Sequence, residues 1–149
     1  MTPEAQLATF LAKYTPEIGG LAMAARKKMQ ARLPGAIELV YDNYNALVIG
    51  YGPTERASDA IFSLALYPKW VTLFFLNGKG LPDPEKLLKG SGVRVRHVVL
   101  ENAAMLDQPA VRDLMSAALE RSRAPIDVKR RRQLIIKSIS PKQRPRRPK

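Results

Sequence analysis

Between Ala36 and Leu76 the chain carries four strand-like runs joined by connections too short to be crossovers. Ile37 to Tyr41 is rich in β-forming residues, Asp42-Asn43 supplies turn-forming side chains, and Tyr44 to Tyr51 makes a second run. Gly52-Pro53-Thr54-Glu55-Arg56 breaks that run before a third, Ala60 to Tyr67, and Pro68-Lys69 leads into a fourth, Trp70 to Leu76. Parallel neighbours need a crossover of about a dozen residues or more, so these four runs predict an antiparallel meander. Val93 to Leu100 alternates and then runs apolar, which reads as a fifth strand. Aromatic and β-branched residues fall on both parities, so parts of both sheet faces should be covered.

The flanks read as helices. Thr2-Pro3-Glu4 and Thr15-Pro16-Glu17 each offer a capping hydroxyl, a proline suited to the first helical position and an acid near the positive helix end. Leu7, Phe10, Leu11 and Tyr14 follow the first signal at helical spacing; Ile18, Leu21, Ala22, Ala25 and Met29 follow the second. Arg26, Lys27, Lys28 and Arg32 fall where cations complement the negative helix end, and Leu33-Pro34-Gly35 stops the helix. Asp107 is placed to cap a last helix bearing Val111, Leu114, Met115, Ala118 and Leu119. The order predicts an α+β domain over residues 1–124: an antiparallel meander of about five strands packed with N-terminal and C-terminal helices.

Charge divides the chain differently. Residues 1–120 carry 13 Lys and Arg against 12 Asp and Glu, whereas residues 121–149 carry 12 against the single Asp127. The basic balance therefore belongs to a C-terminal extension, residues 125–149. Within it, Gln133 to Ser140 has strand composition and offers an edge strand, with a short amphipathic helix over residues 128–136 as the alternative. Pro141 to Lys149 is too polar to bury a core and should be extended and mobile. Such a segment attracts polyanions by releasing their condensed counterions. The expected partner is RNA or DNA, held by Lys129, Arg130, Arg131, Arg132, Lys142, Arg144, Arg146 and Arg147. Removing residues 129–149 is then expected to abolish polyanion binding and leave the body folded.

The chain has no cysteine, hence no disulfide, thiolate nucleophile or cysteine zinc site. No signal-peptide pattern opens it, and its longest apolar run, Val71 to Leu76 apart from Thr72, is far short of the ~20 residues of a membrane span. These features predict a cytoplasmic protein without membrane contact, and they set no oligomeric state. Neither GxxxxGK[ST] nor GxGxxG is present, so no cofactor is expected, and Asn77-Gly78-Lys79-Gly80 reads as an ordinary glycine loop before it reads as a phosphate cradle. Asp83 and Glu85 are too few for a hard-metal cage, and no metal site is expected. His97, the single histidine, lacks a partner at a telling spacing, so no catalytic residue is assigned. Asp42, Tyr44, Arg96 and His97 remain as candidate ligand-binding residues of the body, should they line one cavity. Tyr67, Trp70, Phe74 and Phe75 have the chemistry to stack on bases, although strand aromatics more often fill a core.

Leu39 to Leu47, Phe62 to Phe75 with its Tyr67-Pro68-Lys69-Trp70 core, Gly80-Leu81-Pro82-Asp83-Pro84 and Arg96-His97 together resemble the YdhG-like domain family, domain of unknown function 1801, over residues 15–120. The resemblance implies a small α+β fold related to frataxin-like domains, without a settled activity. Some relatives are described as iron chaperones, and frataxin-type iron binding uses an acidic ridge on and beside the first helix. This chain departs from that pattern: its first two helices carry only Glu4 and Glu17 against Lys13, Arg26, Lys27, Lys28 and Arg32. The resemblance therefore leaves two readings of function, a nucleic-acid-binding protein and a small-ligand or iron-handling domain, and transfers no metal ligand.

Overall fold

The computed structural model describes residues 1–149. Two helices open the fold, α1 (Pro3–Leu11) and α2 (Pro16–Arg32). Thr2 and Thr15 cap them, accepting from the amides of Ala5 and Ile18 at 3.1 and 3.3 Å. Four strands follow: β1 (Ile37–Asp42), β2 (Leu47–Gly52), β3 (Phe62–Leu66) and β4 (Val71–Phe75). After a long loop come β5 (Arg96–Leu100), a 3-10 turn over Ala103–Asp107, α3 (Pro109–Arg121) and β6 (Gln133–Ile139).

The sheet order is β5-β4-β3-β2-β1-β6. The first five strands form an antiparallel meander, which the short connections dictate for β1 to β4 and which β5 joins after the long loop. The sixth comes from the extension and pairs with β1 in parallel, so the sheet has six strands rather than about five and is mixed. The excursion through α3 makes this geometry attainable, because a strand returning beside β1 has a helix in its connection. Of the two structures the sequence offers for this part of the extension, the strand is the one formed.

Three further differences have local causes. Asp107 does not cap α3, which starts at Pro109 after Gln108. Its carboxylate pairs instead with Lys28 and Arg32 of α2, so two cations on a neighbouring helix outcompete a single local amide. The fifth strand starts at Arg96, because residues 93–95 stay in the loop, where Arg96 donates to the carbonyls of Gly92 and Val95. Pro84 to Leu88 is a turn without a helix, held by Asp83, which accepts from the amides of Leu87 and Leu88 at 2.9 Å each.

The helices cover one sheet face and share one apolar core with it, including Leu7, Ala25, Met29, Leu64, Leu73 and Met115. Tyr14, just beyond α1, joins the layers: its hydroxyl donates to Leu66 O at 2.8 Å and accepts from Leu47 N at 3.0 Å. Paired residues share a face, so Val40, in the core, takes Glu38 and Asp42 to the helix side with it. Each buried carboxylate meets an arginine. Arg26 holds Glu38 through two nitrogens at 2.9 and 3.0 Å and also binds Glu4, while Gln30 donates to Glu38 at 3.0 Å. Arg146, from the end of the chain, holds Asp42 at 2.9 Å.

The hydrogen bonds of Arg26 hold the Glu4 carboxyl below the usual glutamate range. A carboxyl lowered in the folded state adds stability that is present above its unfolded pKa of about 4.3 and lost as pH falls through the folded value. The urea midpoint of Glu4→Gln should therefore lie below that of the wild type at pH 6 and converge on it near pH 3. Parallel curves across that interval would show that the pair adds nothing.

Candidate polyanion-binding site

The segment between α3 and β6 crosses back over the turn that joins α2 to β1. Gly35 makes the crossing possible. It has φ +84°, and a Cβ there would lie 1.9 Å from Asp127 O. Asp127, the only acid of the extension, is committed to the local turn, where its carboxylate accepts from Lys129 N at 3.0 Å and its carbonyl from Arg130 N at 3.0 Å. Four successive cations follow this turn. Arg130 reaches Pro53 O, whereas Lys129, Arg131 and Arg132 are exposed and have no ion pair.

A groove of about 470 Å³ lies between this segment and α2, lined among others by Lys27, Gln30, Pro34, Arg130 and Arg132. Lys27 is exposed and has no carboxylate partner. An adjoining hollow of about 350 Å³ holds Glu4 and Glu38 beside Arg132 and Gln133. Arg26 engages both carboxylates, one cation against two anions, and Arg132 adds its own attraction to Glu4 from the hollow, while no carboxylate lines the groove itself. Like charges held together in water without counter-charges repel one another, and an anion seated among them relieves that repulsion. Lys27 and Gln30 were not identifiable as site residues from the sequence, where Lys27 reads as a helix-end cation; only the crossing of residues 127–132 brings them to the groove.

The end of the extension behaves differently. The segment expected to be extended and mobile is extended and docked. Arg144 N donates to Tyr44 O at 2.9 Å. Arg146 is 5% exposed, and besides Asp42 it binds the carbonyls of Asn43 and Tyr44 at 2.6 and 3.4 Å. Arg147 donates to the carbonyls of Lys13 and Ala12, at 3.2 and 3.3 Å, beyond the C-terminal end of α1. Arg146 and Arg147 thus face the protein. Lys142 makes no ion pair, and the Arg144 guanidinium lies 5.7 Å from the centre of the Tyr44 ring.

The candidate ligand-binding residues of the body do not converge. Asp42 and Tyr44 stand at β1 and its turn, while Arg96 and His97 stand on β5, four strand spacings or about 19 Å away. His97 packs on Phe74 with ring centres 5.6 Å apart. No group of three or more His, Asp or Glu side chains is placed to hold a metal ion. The Asn77-Gly78-Lys79-Gly80 loop turns two carbonyls, of Asn77 and Lys79, to Arg121 at 3.1 and 2.6 Å, an arrangement that receives a cation. No helix is long and apolar enough to cross a membrane. Comparison with protein-family models, with curated proteins and with solved structures finds no match to this chain.

Proposed function

We propose that this chain is a non-enzymatic, cytoplasmic nucleic-acid-binding protein: a YdhG-like α+β domain that takes a phosphate backbone along the groove between α2 and the crossing segment. The observation that carries this reading is the set Lys27, Lys129, Arg131 and Arg132. Lys27 and Arg132 line one groove with Arg130, Lys129 and Arg131 adjoin it in sequence, and none of the four exposed cations in the set has a carboxylate at ion-pair distance, whereas the partly buried Lys28 and Arg32 are both paired with Asp107. Phosphate contacts of this kind give affinity and little sequence preference. The iron-handling alternative draws no comparable support, since its carboxylates are either apart or bound to arginine.

Salt dependence tests the reading. Each phosphate neutralised on a single strand contributes a slope of about −0.7 to log K against log salt. The combined variant Lys27→Gln, Arg131→Gln, Arg132→Gln should flatten that slope by about 2 and weaken binding at least tenfold, with its thermal midpoint unchanged. An unaltered slope would place the phosphates elsewhere and defeat the assignment.

A further inference from the structure

The meander sets two turns side by side at one end of the sheet. The β1–β2 turn (residues 43–46) and the β3–β4 turn (residues 67–70) flank the direct pairing of Leu47 with Leu66, so their centres are two strand spacings apart, about 10 Å. Each turn carries an exposed aromatic residue. Tyr44 is 49% and Trp70 46% exposed, whereas Phe75, at the other end of β4, is fully buried. Both rings are supported from within the protein. Trp70 lies on Tyr67 with ring centres 5.4 Å apart and planes inclined by 31°, and Arg144 lies over Tyr44. The docked end of the extension brings Arg144 and Lys142 to this rim, and Lys69 stands beside Trp70. Asp42 at the same end is neutralised by Arg146 and Lys13; Glu101 follows Leu100, the register partner of Val71, and so stands one strand from Trp70, on the side away from Tyr44.

We infer that this rim stacks unpaired bases on Tyr44 and Trp70, so that the nucleic acid taken is single-stranded. The inference rests on the function proposed above and assigns its ligand class. A flat exposed ring with a cation beside it matches a nucleotide in two respects, the base face and the phosphate. A duplex hides its base faces within the stack and presents phosphates and base edges, neither of which stacks on a ring. The stacking is sequence-tolerant, because every base has a π-face.

Trp70 is the sole tryptophan, so its emission reports directly on the rim. The full chain is titrated with a short oligo(dT), with a duplex of equal length, with heparin and with vesicles of anionic phospholipid. Oligo(dT) should quench Trp70, while heparin and duplex bind without quenching. Trp70→Leu and Tyr44→Ser should each weaken oligo(dT) roughly tenfold and leave heparin affinity within about twofold. Binding of oligo(dT) without a change in emission overturns the stacking assignment and leaves the cationic groove standing. Equal losses toward heparin and oligo(dT) in the variants do the same. Quenching by vesicles but not by oligo(dT) overturns it in favour of a lipid surface. No binding of heparin, duplex or oligo(dT) defeats the underlying function as well.

Discussion

Arg26→Met is expected to destabilise the protein by about 3–5 kcal/mol, the usual cost of stranding a buried charge. Glu38 is 2% exposed, and its two oxygens receive Arg26 and Gln30. With Arg26 gone, the Gln30 amide and the neighbouring buried Tyr51 hydroxyl, both neutral, remain to meet a full negative charge. Glu4 is less affected, because its side chain is 63% exposed and water replaces its partner. In a chain of this length 1 kcal/mol moves the melting temperature by about 2–4 °C, so a fall of roughly 10 °C is expected. The decisive comparison is the double variant Arg26→Met, Glu38→Met. Removing both charges also removes the unmet desolvation, and replacing a buried ion pair by apolar groups is often close to neutral. The double variant should therefore recover most of the loss in urea unfolding. A double variant as unstable as the single one would mean that packing around Arg26, rather than the stranded carboxylate, carries the effect.

Arg146→Met should cost about 3 kcal/mol for the same reason at the other end of β1. The Asp42 side chain is 1% and that of Arg146 4% exposed, and the only other cation at Asp42 is Lys13 at 3.2 Å, itself 45% exposed. Arg144→Ala, two residues away, should stay within about 0.5 kcal/mol of the wild type, as surface substitutions usually do. The extension thus separates into residues that bind the body and residues that face solvent. Its removal is not a neutral deletion: cutting residues 129–149 takes away β6, which pairs along the whole of β1, together with the arginine that neutralises Asp42. A truncation after Ser140 should lower the urea midpoint at least as far as Arg146→Met does. Equal midpoints for wild type and Arg146→Met would show that the end of the chain does not hold Asp42.

Local signals were legible wherever the chemistry that decides them is local. Thr2 and Thr15 read as caps and are caps, since the hydroxyl, the proline and the amide lie within three residues of one another. Asp107 offered the same kind of signal and failed, because Lys28 and Arg32, more than seventy residues earlier, stand beside it once the helices pack. On β1 the alternation separates Glu38, Val40 and Asp42 from Ile37, Leu39 and Tyr41. Hydrophobicity favours the second set for the helix side, and the structure puts the first set there. Arg26 and Arg146 make that orientation tolerable, and neither is near β1 in sequence. The end of the extension follows the same rule. Its composition excludes an apolar core, but docking here is polar, through an arginine that fills the place beside a buried carboxylate.

Connection lengths alone determined the antiparallel course of β1 to β4, because each connection is shorter than the dozen or so residues a parallel crossover needs; β5, after the loop of residues 76–95, was not fixed in this way. Charge counting alone determined that the basic excess lies after residue 120. Which of those cations are available to a partner was decided only by the tertiary structure. The sign of a charge is a property of the residue, but its availability depends on the group opposite. The fold sets Asp42 and the carbonyls beyond α1 opposite Arg146 and Arg147, and leaves Lys27, Arg131 and Arg132 exposed without an ion pair.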